Sequence, residues 1–387
     1  MNNSWRYSTL SEVYLDNSAT TQVCPQAAEK VMELLTENYG NPSSLHARGF
    51  RAERELTAAR EEIAALLGAS AEELYFTSGG TESNNMALFG AAYARRKRGN
   101  HIVTTMLEHH SVLNVMKQLE TEGFSVTYLK PSATGEIKPE QVFAAVTPET
   151  ILVSMMHVNN EVGSIMPLEA VSAAITAVKA PALFHVDAVQ SFGKLPIKPS
   201  KLKIDLMSVS AHKIHGPKGV GALYLKKGVR INPRSFGGSQ EKNIRPGTEA
   251  VPLIAGFGAA VKALPQMNRE LERITALNGY CRERLKEIDR VVINSAENAF
   301  PYILNLSCGS VRAETMLHYL SDKEIYVSSG SACAKGQASH VLTAMELPPS
   351  RISSSLRLSF SHLNTEREID RFVSALRDGM NELVQRP

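Results

Sequence analysis

From Leu74 to Leu225 the chain alternates short apolar runs with longer amphipathic ones, a rhythm that commits this stretch to successive βα units on a mainly parallel sheet. Tyr75-Phe76-Thr77 leads into a run in which Met86, Phe89 and Tyr93 stand at i, i+3 and i+7, one face of a helix. Ile102 to Thr105 precedes a second such run, with Val112, Val115, Met116 and Leu119 on one side. Further strands are expected over Ile151 to Met155, Leu183 to Val186, Leu206 to Val209 and Ala222 to Leu225. Helices on both faces complete an α/β/α layer.

After about Phe257 the character changes. An Arg/Glu-rich helical pattern runs to Ile288, and short strands (Val291 to Ile293, Ile303 to Leu306, Leu356 to Phe360) then alternate with helices, the pattern of a smaller α+β domain. Ser295 to Ala299 reads as a turn, and Pro348-Pro349 as a helix break. At 387 residues the chain exceeds what one core serves, and 43% hydrophobic residues suffice for two. The net charge of +3, from 42 basic and 39 acidic residues, implies no large single-sign field and no direct nucleic-acid partner. Arg95-Arg96-Lys97-Arg98 is expected to be the cationic last turn of a helix. The N-terminus is polar and no apolar run approaches the roughly 20 residues that span a bilayer, so a soluble, unprocessed, cytoplasmic protein is expected. Cys24, Cys281, Cys308 and Cys333 are far apart, which argues against a disulfide framework or a metal site. Cys281 and Cys308 fall in helical and strand patterns and read as packing residues.

Chemistry concentrates at strand ends. Ser78-Gly79-Gly80-Thr81 joins a strand to a helix, where free N–H groups suit an anion such as a phosphate, although such turns also have purely structural uses. Ser208 to Lys213 follows a strand and enters the rigid loop Gly216-Pro217-Lys218-Gly219. A lysine placed so is suited to Schiff-base chemistry if burial or a nearby cation lowers its pKa; a surface lysine in a basic turn is the other reading. The strand Leu183 to Val186 ends in Asp187, which is either solvated or the partner of a cationic ring nitrogen, with Gln190 a short step onward.

Taken with these, a series of ordered stretches resembles the cysteine desulfurases of the NifS/IscS type, within the class V aminotransferase-like, fold type I pyridoxal-phosphate enzymes. They are Tyr14 to Thr21, Tyr39 to Ser44, Thr77 to Asn84, Glu108-His109, Met156 to Gly163, Asp187 with Gln190, His212-Lys213, Arg245 to Thr248, and Val327 to Cys333. The resemblance covers nearly the whole chain. It implies a large α/β/α cofactor domain over 17–257 and a smaller α+β domain over 1–16 and 258–387 that carries Cys333 and Arg357.

It further implies that pyridoxal 5'-phosphate binds through Lys213, with His109 stacked over the ring and shuttling protons. Gly80, Thr81, Ser210 and His212 hold the phosphate, Asp187 faces the ring nitrogen, Gln190 the phenolic oxygen, and Asn160 contacts cofactor and substrate. Arg357 grips the substrate carboxylate. Thr248 reaches the phosphate of a neighbouring subunit, so a homodimer is expected. Cys333, in a small, glycine-bearing stretch expected to form a mobile loop, takes sulfur from L-cysteine as a persulfide, leaving L-alanine. The sulfur then passes to an acceptor protein, a scaffold for iron–sulfur assembly or a tRNA-thiolation enzyme. Two departures, Gly80 for a common alanine and Ala211 for a common glycine, are small-for-small and expected to be harmless. The chain stops at Arg386-Pro387 without the longer tail some relatives use for docking, which leaves the acceptor open. A selenocysteine lyase or other β-lyase, which does not need Cys333, and a catalytically idle platform in a sulfur-transfer complex are the alternatives.

Overall fold

The computed structural model describes residues 12–329 and 338–383. A short strand β1 (Val13–Tyr14) comes first. Then β2 (Leu74–Thr77), β3 (His101–Thr105), β4 (Ser125–Leu129), β5 (Thr150–Ser154), β6 (Leu183–Asp187), β7 (Leu206–Ser210) and β8 (Gly221–Leu225) build one sheet in the order β2-β8-β7-β6-β5-β3-β4. Every pairing is parallel except those of β8, which runs antiparallel to β2 and β7. The alternation of side chains along a strand divides the core in two. Phe76, Val153, Phe184 and Met207 point into one apolar layer with Ile63 and Phe257, while Tyr75, Leu152, Leu183 and Leu206 point into the other with Met86 and Phe89. Burial on both faces is why the central strands read as continuous apolar runs.

The edge strand β4 is absent from the sequence reading. Its Ser125 is exposed and Val126, Thr127 and Tyr128 are only half-buried, so it lacks the run that marks its neighbours. The basic stretch also differs in detail: the helix Gly80–Arg95 stops at its first arginine, and Arg96–Arg98 form a separate 3₁₀ turn.

Five further strands follow, β9 (Val291–Ile293), β10 (Ile303–Cys308), β11 (Ile325–Tyr326), β12 (Ser328–Ser329) and β13 (Ser355–Ser359). Four of them form an antiparallel sheet in the order β12-β13-β10-β9, and β11 pairs in parallel with β1. The helices Met267–Leu285, Ala313–Ser321 and Glu366–Glu382 supply Ile274, Met316 and Phe372 to a separate core that also takes Val13, Leu15, Leu306 and Leu358. Pro349 opens a short helix, Pro349–Ser353, at the position where its missing N–H costs nothing.

The C-terminal ends of β2, β6 and β7 gather at one edge of the large sheet, where open α/β sheets bind ligands. Close approach there depends on glycine. A Cβ on Gly221 lies 2.7 Å from Gly79 Cα and 2.6 Å from the Val209 carbonyl oxygen. One on Gly80 meets Val189 Cγ2 at 2.7 Å, and a β-branched side chain has little freedom to turn away. Val189 therefore gives the glycine at position 80, where alanine is common in the family, a packing reason in this chain. In urea unfolding, Gly80→Ala is expected to cost about 1–3 kcal/mol through overpacking. In a Val189→Ala background the same change is expected to be nearly neutral; an equal cost in both backgrounds would show that the contact does not decide the residue.

Candidate active site

The strap Asp16 to Thr21 crosses between the two sheets and closes a cavity of about 440 Å³ at the edge where β6 and β7 end. Lys213 sits in the 3₁₀ turn Ala211–Lys213 that directly follows β7. Its Nζ donates to the backbone oxygens of Ser18 and, at 2.7 Å, Ala19. Burial pushes its pKa down to about 7, and the cations Arg357 and Lys194 push the same way. A neutral amine has two N–H groups, so these two carbonyls leave its lone pair uncommitted.

Asp187 ends β6, buried. Its Oδ2 accepts from Asn84 Nδ2 at 2.7 Å and its Oδ1 from the Val189 N–H at 3.0 Å. Gln190 is buried beside it; Nε2 donates to the Ser18 oxygen at 3.1 Å, and Oε1 has no partner among the described residues. His109 caps the helix His110–Thr121, its Nδ1 accepting from the Ser111 N–H at 3.2 Å. Burial, more than any charge, lowers its pKa.

Gly80 and Thr81 open the helix Gly80–Arg95 at the cavity wall, opposite Ser210 and His212. Ser210 Oγ is buried without a partner among the described residues. His212 Nδ1 lies 3.3 Å from Thr20 Oγ1, and its pKa falls to about 4, mostly by burial and then through Lys213 and Lys218. Arg357, on β13, is buried rather than a surface cation. Its Nη2 pairs with Asp16 Oδ1 at 2.8 Å and its Nη1 donates to the Asn160 oxygen at 3.0 Å, while Nε has no partner among the described residues.

The cavity thus brings together Lys213, His109, Gly80, Thr81, Asn160, Asp187, Gln190, Ser210, His212 and Arg357. Thr248 is not among its lining residues; it is exposed, a few residues from Arg245, which pairs at 3.0 Å with Glu82 on the helix Gly80–Arg95, the cradle helix. Cys333 lies outside the described residues, but Ser329 before it is registered against Leu356 next to Arg357, and Ala338 after it lines the cavity. Cys281 and Cys308 are buried, with thiol pKa values pushed upward by burial, to about 12 for Cys281.

Sequence reasoning missed Asp16, Asn84, Ser111, Ser339 and the two carbonyls on Lys213. Asn84 had a signal: it stands four residues after Gly80, on the same helix face. Ser339 donates to the buried carboxylate of Glu161, whose pKa burial raises to about 7.

The unpartnered atoms at Gln190, Ser210, Asn84 and Arg357 are polar groups that native structures seldom leave without a ligand or water. The donor set fits one molecule with an anionic end at the helix start, a protonated ring nitrogen at Asp187 and a carbonyl at Lys213.

Residues 13–372 match the family model described as aminotransferase class-V. The chain is 44% identical over 380 residues to a cysteine desulfurase IscS of Serratia proteamaculans (strain 568), covering 96% of this chain and 93% of that protein. A solved structure titled NifS-like protein superposes with a TM-score of 0.90 at 38% identity, covering 96% of this chain and 99% of the other. Another, titled SspA in complex with cysteine, gives 0.80 at 36% identity, covering 90% and 98%. With the strand-end lysine and aspartate in one cavity, these likenesses leave one conclusion: the chain belongs to the class-V aminotransferase family, with cysteine desulfurases among its relatives.

Proposed function

We propose that this protein is a pyridoxal-phosphate-dependent cysteine desulfurase, which removes sulfur from L-cysteine, releases L-alanine and carries the sulfur on Cys333 to an acceptor protein. The observation that carries this reading is the single cavity holding a buried amine of lowered pKa, Lys213, together with Asp187 and Arg357. Members of the family use pyridoxal phosphate. In this chain Gly80, Thr81, Ser210 and His212 would hold its phosphate, Asp187 its ring nitrogen, Gln190 its phenolic oxygen and Lys213 its aldehyde, with His109 and Asn160 completing the pocket. The bound group supplies an electron sink for charge that develops at the substrate α-carbon.

The chain's own residues do the rest. Arg357 offers a planar fork to the substrate carboxylate, sharing it with Asp16. Lys213 Nζ, neutral above about pH 7, takes and returns the α-proton. The Cys333 thiolate attacks the substrate sulfur: the S–S bond forms as the carbon–sulfur bond breaks, the electron pair goes to carbon, and a proton there completes alanine. Cys333 stands five peptide units from Ala338, which holds it within about 18 Å of the cavity wall.

A homodimer belongs to this reading. Met32, Leu35, Tyr39, Leu45 and Phe50 leave large apolar side chains exposed in one stretch of chain, with Phe236 near the Thr248 segment. That segment is tied down at Glu241, which forks with Arg60 at 2.6 and 2.9 Å and accepts the Phe76 N–H; Thr248 is exposed and, on this reading, would reach a partner's phosphate. No helix among the described residues is long and apolar enough to cross a membrane. A cytoplasmic setting, with a scaffold or tRNA-thiolation enzyme as acceptor, completes the proposal.

Three outcomes test it. Because Lys213 is protonated below its lowered pKa and neutral above it, cofactor-free protein mixed with pyridoxal phosphate is expected to develop its visible band at a rate that climbs up to about pH 7 and then levels. An ordinary lysine would keep climbing to about pH 10.4. Cys333→Ser is expected to bind cofactor and cysteine yet form little alanine, whereas wild type gains one reducible sulfur on the Cys333 peptide by mass spectrometry. That sulfur on another cysteine, or normal turnover by the variant, would point to the lyase reading instead. Diluting the holoenzyme is expected to release cofactor as dimers dissociate in sedimentation. A fully active monomer with tightly held cofactor contradicts the shared site.

A further inference from the structure

We infer that Asn84 is a positioning residue that joins the Asp187 carboxylate to the His109 ring and fixes the His109 proton on Nε2. The inference rests on the reading above, in which Asp187 and His109 serve the cofactor. Asn84 lies within the cradle helix, 1% exposed. Its Nδ2 is the centre of a fork: one N–H goes to Asp187 Oδ2 at 2.7 Å, the other to Ser111 Oγ at 2.9 Å. The amide cannot be turned over, because Oδ1 would then face a carboxylate oxygen, acceptor against acceptor.

The direction of every later bond follows. Ser111 Oγ accepts from Asn84, so its own proton is free to be given, and His109 Nδ1 stands 2.8 Å away. The Ser111 backbone N–H points at the same nitrogen from 3.2 Å. Two donors converging on Nδ1 leave it no room for a proton, so the neutral ring carries its hydrogen on Nε2. Burial, which lowers the pKa of this ring, favours the same neutral state.

Asn84 also departs from what a packing residue does. Its Oδ1 is buried without a partner among the described residues, at the wall of the cavity, an arrangement that costs stability unless function uses it. The consequence for catalysis is specific. His109 meets the cavity as a hydrogen-bond donor, and it can take up a proton only if the Ser111 hydroxyl and the ring rearrange together. A change in how Asp187 is held reaches His109 through one amide group.

The test uses holoenzyme labelled with ¹⁵N in histidine, with His109→Gln to identify the His109 signals. Wild type is expected to show a protonated Nε2 and a bare Nδ1 near neutral pH. Ser111→Ala, which removes the hydroxyl from Nδ1 but leaves the backbone N–H there, is expected to shift the Nδ1 signal toward that of a more weakly bonded nitrogen, with Nε2 still protonated, while leaving the visible absorption of the bound cofactor as in wild type. Asn84→Ala cuts both arms; it is expected to change the nitrogen shifts and the cofactor absorption together. It should also lower kcat about tenfold, the scale of one charge-assisted hydrogen bond, with KM for cysteine altered much less. A wild-type His109 protonated on Nδ1, or nitrogen shifts unchanged in both variants, overturns the assignment. The tautomer is read from the protein's own ring, so a wild type that binds no pyridoxal phosphate sinks the functional reading while the shifts still decide on Asn84.

Discussion

The strap from Asp16 to Thr21 is the constraint on which the site depends. Asp16 pairs with Arg357 on the antiparallel sheet, and the Asn17 side chain donates to Ser359 and Asn364 beside it. The next residues turn to the other sheet: the Ser18 and Ala19 carbonyls receive Lys213, and Thr21 bonds backbone to backbone with His212 and accepts the His215 N–H. A few consecutive residues thus hold the group that would bind a carboxylate and the amine that would meet an aldehyde in fixed relation. On the lysine side the partners are backbone carbonyls, which have no side-chain rotamers to order.

Around the strap, burial drives ionisable groups toward neutrality. Glu108 rises to about 8 and Glu161 to about 7, while His157 falls to about 4, Lys194 to about 8 and Lys213 to about 7. In each the loss of water is the first cause. Water-poor surroundings of this kind make the charges of an incoming phosphate and carboxylate count for more at their few fixed partners.

Much of this was legible in the chain, and the reasons are physical. Strands buried on two faces announce themselves as apolar runs, so β5, β6 and β7 were readable to within a residue, and their ends gave Asp187 and Lys213 as candidates. The edge strand β4 was not, because half its surface meets solvent and permits Ser, Thr and Tyr. The Ser18 and Ala19 oxygens were invisible because any residue supplies a carbonyl; only the path of the chain makes these two special. Asn84 lay at the end of a stretch already singled out, but among polar residues of the helix start, Thr81, Glu82, Ser83 and Asn85, nothing in the sequence marked it as the one that turns to Asp187. Asp16 lay within a stretch already singled out, yet its partner Arg357 comes from the far end of the chain, and no local spacing connects them.

That distance has a further meaning for how the protein is made. Val13 in β1 pairs with Ile325 in β11, about 310 residues later, and both Val13 and Leu15 are wholly buried in the core that the late helices complete. At a ribosomal pace of about 5–20 residues per second, roughly 15–60 s separate the two strands. The large sheet has all seven of its strands by then, but the strap that caps Lys213 hangs from an N-terminal segment still waiting for its docking place. Assembly of the active site is thereby deferred until β11 has emerged, and the nascent chain carries Val13 and Leu15 without their partners while about 310 further residues are made.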